Sequence, residues 1–418
     1  MSDPDLNTST SSGSDATTGS NLAICLSGGG YRAALFHLGA MRRLNELGVL
    51  GKVTMISSVS GGSILAAHLA RQFVPERLTD GRIRDWDENV AQPFRAFCRR
   101  DIRTWPILKR FLLPWNWLRR STQVVALAKK YQKYLTAQLL TGLPESPVFT
   151  FCATDVMHGV NWTFRRDRVG DYKAHFRSSP SDWPVARAVA ASSCFPPLFD
   201  PMPVGEYLTK RDAKDGKSYR PADKGLSQVR LSDGGVYDNL GLDPTTRHRC
   251  VLVSDGGAPI RTFKPSSFPL ALWVRYFDIA SNQVGSLRKR WLMADFLTNT
   301  VRDGREEPIK TGTYWGIGSG STDKDHPDWP GYDDALAEYY ISKVRTDLDK
   351  FTFDEMGILE NHGYLLANRV VQKRADYLVP DPVPSLEVPY PDLLDVEVVR
   401  EALKRSHRRF CPSRTLRG

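Results

Sequence analysis

Two stretches near the N-terminus each combine a short apolar run with a run of small residues. Residues 22–26 are apolar and precede the small residues 28–30, after which apolar side chains recur at helical spacing over residues 33–47. Residues 53–56 form a second apolar run, and the small residues 57–63 lead from it into another helical pattern. This arrangement predicts a strand, a tight turn and a helix, twice in succession.

Further along the chain, strand patterns alternate with helical ones. The strand patterns fall at residues 148–154, 162–164, 229–232 and 251–254, and the helical patterns at residues 184–190, 270–279, 285–297 and 334–349. Residues 302–332 contain six glycines with several Asp and Lys, which predicts a long surface loop. The alternation predicts an α/β fold in which helices flank a mostly parallel central sheet.

The length of 418 residues suffices for one large α/β domain with an insertion. We expect this domain to cover residues 21–375, with the insertion at about residues 75–145. Residues 1–20 are rich in Ser, Thr, Gly and Asp, which predicts a flexible tail. Residues 376–418 combine a Pro-rich stretch with a basic end, so we expect an extended arm and a basic tail.

Neither a membrane span nor a secretion signal is predicted. No run approaches the roughly 18 apolar residues that a span needs, and the N-terminus lacks the charged-then-apolar layout of a signal peptide. The six cysteines include no C-x-x-C pair, and Cys25, Cys152 and Cys250 lie in apolar strand patterns, which favours core side chains over metal ligands. We therefore expect a cytoplasmic protein without a metal or other cofactor.

The segment from Arg95 to Lys133 differs from the rest of the chain in charge. It holds eleven Lys and Arg against one acidic residue, interleaved with aliphatic and aromatic side chains that include Trp115 and Trp117. One interpretation is peripheral docking to an anionic membrane. The competing interpretation is a helical insertion that packs its aromatics into the core. Nucleic acid is not an expected partner, because a phosphate backbone has no use for the aliphatic side chains.

The two predicted turns hold the chemistry of acyl transfer. A strand, a sharp small-residue turn and a helix lift a serine hydroxyl clear of a sheet, and Ser60 occupies that place. The turn at Gly28, Gly29 and Gly30, together with Gly61, offers bare backbone N–H groups at helix N-termini. One turn can therefore supply a nucleophile and the other an oxyanion hole.

The glycine turn and Ser60 also have non-catalytic interpretations. The glycine turn could be a dinucleotide loop, but the third glycine of that fingerprint would fall at Ala33, and no G-x-x-x-x-G-K-[ST] pattern occurs. Ser60 could be one of many helix-capping serines. Two strand-turn-helix units in succession, each with suitable chemistry in its turn, favour the catalytic reading.

Four segments in order carry a family resemblance: Gly28-Gly29-Gly30-Tyr31-Arg32, Ser60-Gly61-Gly62-Ser63, Ala190-Ala191-Ser192-Ser193-Cys194-Phe195-Pro196-Pro197 and Asp233-Gly234-Gly235-Val236-Tyr237-Asp238-Asn239. Together they resemble the patatin-like phospholipases. The resemblance implies a three-layer α/β fold and hydrolysis of phospholipids or other lipid esters by a serine–aspartate dyad. The chain departs from the G-x-S-x-G elbow of that family at its first position, where Ser58 replaces glycine.

On this resemblance Ser60 is the nucleophile and Asp233 the base, in preference to Asp255, which also ends an apolar run before two glycines. Gly28, Gly29, Gly30 and Gly61 line the oxyanion hole. Arg32 either supports the glycine loop or contacts a substrate phosphate. The basic aromatic insertion is an addition to the family fold.

Two alternatives stay open at this stage. A Ser-His-Asp triad would draw on His248, His326, His362 or His407, which all follow Asp233 in the chain. His37 and His68 lie in the two predicted helices, and we interpret them as core or surface side chains. The second alternative is a non-catalytic lipid- or phosphate-binding protein on the same fold, in which the glycine loop holds a phosphate.

Overall fold

A computed structural model of the chain describes residues 21–104, 122–174, 176–196, 198–204, 228–257, 259, 269–302, 305–404 and 406. The tail expected at residues 1–20, the end of the chain from residue 407, and the tryptophans Trp105, Trp115 and Trp117 lie outside the described residues.

The strands are β1 (Leu22–Leu26), β2 (Val53–Val59), β3 (Leu78–Thr79), β4 (Arg82–Ile83), β5 (Val148–Asp155), β6 (Val160–Phe164), β7 (Arg168–Gly170), β8 (Arg177–Ser178), β9 (Met202–Pro203), β10 (Arg230–Asp233), β11 (Cys250–Asp255), β12 (Asn299–Arg302), β13 (Arg305–Pro308) and β14 (Thr311–Gly316). The helices are α1 (Gly30–Glu46), α2 (Gly61–Leu69), α3 (Gln92–Cys98), α4 (Thr122–Tyr134), α5 (Val185–Ser192), α6 (Gly235–Asp238), α7 (Pro269–Leu297), α8 (Asp334–Tyr339), α9 (Phe353–Arg374) and α10 (Val396–Leu403).

The central sheet has the strand order β14-β11-β1-β2-β5-β6-β7-β8. The first five strands of this order are parallel, and β6, β7 and β8 continue it as antiparallel hairpins. β10 pairs antiparallel with both β5 and β9. The chain therefore has the expected α/β architecture, with helices flanking a mostly parallel central sheet.

The structure revises several predicted elements. Residues 302–332 are not one surface loop: β13 pairs with β12, and β14 extends the central sheet beside β11. The glycines and threonines of β14 obscured its strand pattern, although Trp315 is buried. Pro184 precedes α5 rather than beginning it.

Two helix predictions were also wrong in their limits. The two helical patterns in residues 270–297 belong to the single helix α7. The helix expected over residues 334–349 ends at Tyr339, because the chain beyond it passes the glycine turn. There the carbonyl of Asp347 accepts a hydrogen bond from the Tyr31 N–H at 2.9 Å. A tertiary contact thus replaces the local helical preference.

Helices α1 and α9 cross at two glycines. A Cβ atom on Gly39 would clash with the Glu360 carbonyl oxygen, and one on Gly363 would clash with the carbonyl oxygen of Phe36. Neither partner can move without displacing a helix backbone. The close approach therefore depends on glycine in both helices, and α1 is the helix that begins at the glycine turn.

We expect Gly39→Ala to destabilise the protein, because the added methyl group must separate the two helices. Overpacking of this kind costs about 1–3 kcal/mol, and chemical denaturation measures it. The control is Gly285→Ala in α7, where an added Cβ has no atom within 4 Å. The control variant should be neutral or slightly more stable, because alanine has the higher helix propensity. Equal midpoints for the two variants would contradict the close crossing.

Candidate active site

The edge of β5 brings two strand ends together. β2 pairs with this strand as far as Val59, opposite Cys152, and β10 pairs with it from Asp233, opposite Ala153. Because β6 occupies the other edge of β5 over these residues, β2 and β10 share one edge. They run in opposite directions, so their carboxyl ends meet. Ser60, which follows β2, and Asp233, which ends β10, are therefore neighbours.

Ser60 occupies a strained turn between β2 and α2. Its φ of 50° and ψ of −113° are rare for a residue with a side chain and cost about 1–3 kcal/mol. The Ser60 N–H donates to the Ser192 hydroxyl at 2.9 Å, and the side chain lines a cavity. A serine on a sharp strand-to-helix turn matches the predicted elbow.

The neighbouring serines point elsewhere. The Ser58 hydroxyl donates to the carbonyl of Thr150 at 3.1 Å, and the Ser63 hydroxyl lies 2.8 Å from that of Ser192. Ser58 and Ser63 are fully buried, whereas Ser60 is partly exposed. Ser60 is therefore the hydroxyl of this turn that a molecule in the cavity can reach. Ser58 occupies the first position of the elbow, where the family has glycine, and its hydroxyl is hydrogen-bonded to the carbonyl of Thr150.

Asp233 is almost completely buried. Its Oδ1 accepts a hydrogen bond from the Gly235 N–H at 2.7 Å. Burial raises the pKa of the carboxyl to about 7, and the Gly235 N–H and the Ser60 hydroxyl partly offset this rise. Oδ2 of Asp233 has no hydrogen-bond partner among the described residues, although the Ser60 hydroxyl is near enough to lower the pKa of the carboxyl group. Such contacts commonly tighten when a substrate binds.

Asp255 reaches the same cavity but both of its carboxylate oxygens are engaged. Oδ2 accepts from the Tyr314 hydroxyl at 2.6 Å, and Oδ1 accepts from the Gly257 N–H at 2.8 Å. The structure thus places Asp233, and not Asp255, beside Ser60.

The glycine turn leads directly into α1. Gly29 and Gly30 have φ values of 144° and 59°, which favour glycine. Among the described residues no hydrogen-bond acceptor is found for the N–H groups of Gly29, Gly30 and Gly61, all near helix N-termini. The Gly28 N–H instead donates to the Asn239 carbonyl at 3.0 Å. The inclusion of Gly28 among the oxyanion donors is therefore corrected.

Gly28 matters for its missing side chain. A Cβ at this position would clash with Oδ1 of Asn239 and lie 3.1 Å from Cβ of Ser60. Asn239 and Ser192 were not predicted as neighbours of the elbow, although both lie in the motifs that carry the family resemblance. Their contacts are tertiary, and the spacing of the motifs does not reveal them.

Arg32 is fully buried under the glycine turn. Its guanidinium donates to the carbonyl of Gly256 at 2.9 and 3.2 Å and to that of Val344 at 3.0 Å. The backbone of Asp347 packs against Gly30 of the same turn, and its carboxylate is salt-bridged to Arg103 at 2.8 Å. Burial raises the pKa of Asp347 to about 6, and Arg103 opposes this rise. These contacts are the kind that loop support requires.

The cavity beside Ser60 has a volume of about 670 Å³. Its apolar lining includes Phe195, Leu198, Phe199, Leu240, Ile317 and Leu348. Its polar lining includes Ser60, Asp233 and the glycine turn. A pocket of this size with a few convergent polar groups suits a small molecule with a long apolar part.

The described histidines do not line the cavity. His37 is hydrogen-bonded to Ser254 at 2.7 Å, His68 to the Val90 carbonyl at 2.9 Å, and His362 to the Ile317 carbonyl at 2.9 Å. Burial lowers the pKa of all three to about 4, so they are neutral core side chains at pH 7. His326 stacks on Trp329, and His407 lies outside the described residues.

One group of side chains in the described part of the chain has the composition of a metal site. Possible ligand atoms of Asp155, His158 and Asp171 lie within 4.8 Å of one another. Nδ1 of His158 and Oδ2 of Asp155 are 2.6 Å apart, so these two groups bind each other directly. Burial raises the pKa of Asp171 to about 6, and the proximity of Asp155 adds to this rise.

The fold and this site define an α/β protein with a serine elbow beside a buried carboxyl. A family model for patatin-like phospholipases matches residues 24–246, more than half of the chain. The chain therefore belongs to the patatin-like phospholipase family.

Two solved structures can be aligned with most of this chain. Human GIVD cytosolic phospholipase A2 is 15% identical with a TM-score of 0.46, and the match covers 93% of this chain and 63% of that one. VipD from Legionella pneumophila is 14% identical with a TM-score of 0.34, and the match covers 84% of this chain and 67% of that one. The chain thus spans less than two thirds of the human protein. No curated protein sequence matches it.

The raised pKa of Asp233 makes stability depend on pH. Because the pKa rises from 3.8 in the unfolded chain to about 7 on folding, the stability contributed by this group falls as pH rises through that window. We expect Asp233→Asn to raise the free energy of unfolding more at pH 8 than at pH 5. The two changes in the free energy of unfolding should differ by about 2–3 kcal/mol. Urea denaturation of both proteins at the two pH values measures it, and a variant effect that does not change with pH would contradict the assignment.

Proposed function

We propose that this protein is a lipid acyl hydrolase of the phospholipase A or lysophospholipase type, which cleaves carboxylic esters of phospholipids or related lipids. The observation that carries the proposal is the meeting of Ser60 and Asp233 on one edge of β5, beside a cavity with apolar walls. Membership of the patatin-like phospholipase family supports it independently.

In the first half-reaction the Ser60 Oγ attacks the ester carbonyl carbon. Its proton moves to Asp233, whose pKa near 7 makes it a far better base at neutral pH than a solvated carboxylate. The tetrahedral intermediate collapses when the carbon–oxygen bond to the alcohol breaks. Asp233 then returns the proton to the leaving alcohol, and the acyl group stays on Ser60.

Water completes the cycle by attacking the acyl-serine. Asp233 takes a proton from the water, and the Ser60 oxygen leaves with that proton as the fatty acid is released. The N–H groups of Gly29, Gly30 and Gly61 are the proposed donors to the oxyanion in both half-reactions. We propose that Arg32 supports the glycine turn, because its guanidinium donates hydrogen bonds to the backbone carbonyls of Gly256 and Val344.

We also propose a cytoplasmic location with peripheral membrane contact. Most of the large apolar side chains described in the segment 95–133 are buried, among them Phe97, Ile102, Val124, Leu127 and Tyr131, whereas Val125 is 39% exposed. Their burial favours core packing for this part of the insertion. The three tryptophans of the segment 95–133 lie outside the described residues, so docking through them stays a prediction.

Covalent labelling tests the proposal directly. We expect a fluorophosphonate probe to label the protein and Ser60→Ala to abolish both the label and esterase turnover, by at least about 10⁴-fold. Ser63→Ala is the matched control: it loses its two buried hydrogen bonds, to Ser58 and Ser192, costs about 1–3 kcal/mol of stability and keeps the label.

Labelling that survives in Ser60→Ala and disappears in Ser63→Ala would show that the wrong serine was chosen. A folded wild-type protein that neither reacts with the probe nor turns over any lipid ester would instead favour the non-catalytic lipid- or phosphate-binding alternative.

A further inference from the structure

Helix α7 forms a wall of the cavity. Asp278, Asn282, Gly285, Ser286 and Lys289 line the cavity from one side of this helix. The small residues among them interrupt the helical pattern in the sequence, and they leave room for the cavity. Further along the same side, Leu292 is buried against the core.

The opposite side of α7 carries exposed apolar side chains. We call this set, Leu272, Tyr276, Ile279, Leu287 and Trp291, the outer face. Its members recur at helical spacing, and Trp291 and Tyr276 are 65% and 59% exposed. Leu297 at the end of the helix is 83% exposed. The exposed Gln283 interrupts this row between Ile279 and Leu287. Exposed aromatic and aliphatic side chains grouped on one side of a helix are nevertheless unusual on a surface that faces only water.

The charges of α7 suit an anionic partner. Between residues 272 and 291 the sequence has four basic residues and one acidic residue, Asp278, which lies on the cavity side. Arg288 is 3.6 Å from Asp238 and Lys289 lies on the cavity side, so Arg290 is the exposed basic residue next to Trp291. The whole protein carries a net charge of +10, which also favours an anionic surface. Basic side chains beside exposed Trp and Tyr are typical of segments that lie at the lipid–water interface.

The structure does not suggest that α7 crosses a bilayer. None of the helices in the described ranges is both long and apolar enough to do so. An interfacial helix needs only one apolar face, and it lies parallel to the membrane surface.

We propose that the outer face docks on an anionic lipid bilayer. The choice of a lipid occupant rests on the proposed function, because a lipid acyl hydrolase must take its substrate from such a surface. Since α7 also forms a cavity wall, docking brings the bilayer within about one helix diameter, roughly 10 Å, of the cavity. The aromatic side chains enter the headgroup region, and Arg290 next to Trp291 faces anionic headgroups.

Flotation with vesicles tests the docking in the Ser60→Ala protein, which removes turnover from the measurement. The vesicles contain phosphatidylcholine with or without phosphatidylserine. We expect binding to rise with phosphatidylserine and to weaken with salt. Leu287→Glu and Trp291→Glu should each weaken binding by about tenfold or more, because each removes an apolar side chain from the interface and adds a negative charge.

The chain offers a matched control in Val398→Glu on α10. Val398 is 45% exposed and Leu287 is 43% exposed, so the two variants add the same charge at similarly exposed aliphatic positions. The control should bind vesicles as the parent does. Circular dichroism checks that all variants stay folded. The docking proposal is wrong if Leu287→Glu binds as tightly as Val398→Glu, or if the parent protein does not bind anionic vesicles.

Turnover separates docking from catalysis. In the wild-type background, Leu287→Glu should hydrolyse a monomeric nitrophenyl ester within about twofold of the parent, since its side chain is outside the cavity, and should lose turnover of vesicle lipid in line with binding. If no ester is hydrolysed but flotation gives the expected pattern, the proposed function fails and the docking surface stands.

Light scattering tests whether a second copy of the chain, and not a bilayer, covers the outer face. A parent protein that dimerises, and that Leu287→Glu converts to monomers without any effect on vesicle binding, would assign the outer face to self-association and overturn the lipid proposal.

Discussion

The arrangement at β5 is the constraint on which the candidate site depends. One edge of this strand pairs with β2 in parallel and then with β10 in the antiparallel direction, and the change of partner falls between Cys152 and Ala153. Two strands that approach head-on along a shared edge must end where they meet. The residues at those ends, Ser60 and Asp233, are therefore placed by backbone hydrogen bonds rather than by flexible loops.

This placement has an energetic cost that neighbouring residues offset. Ser60 holds a left-handed backbone conformation, and Asp233 carries a carboxyl group in a buried position. The hydroxyl of Ser192 accepts the Ser60 N–H, and the Gly235 N–H supports Asp233. Asp347 and Arg32 hold the glycine turn against the end of β11 and the segment after α8. Strain at Ser60 and a raised pKa at Asp233 are features that functional sites commonly share.

The sequence predicted those parts of the site that depend on local pattern. The two strand-turn-helix units, Ser60 and the glycine turn could be recognised because each motif is continuous in the chain. The direction of β10 could not be read from its apolar run, since parallel and antiparallel strands share that pattern. The expectation that Asp233 lies at the site was reached through parallel strands, whereas β10 is antiparallel. The engaged Gly28 N–H and the support from Asp347 are tertiary contacts between distant segments, which no local signal encodes.

A crystal structure of the protein after reaction with a fluorophosphonate tests the central claim most directly. The account predicts a covalent bond from phosphorus to the Ser60 Oγ, with a phosphoryl oxygen about 2.7–3.1 Å from the amide nitrogens of Gly29 and Gly30. The Asp233 carboxyl group should be the titratable group nearest to Oγ. A phosphorus bond to another side chain, or an imidazole between Ser60 and an acid, would contradict the account.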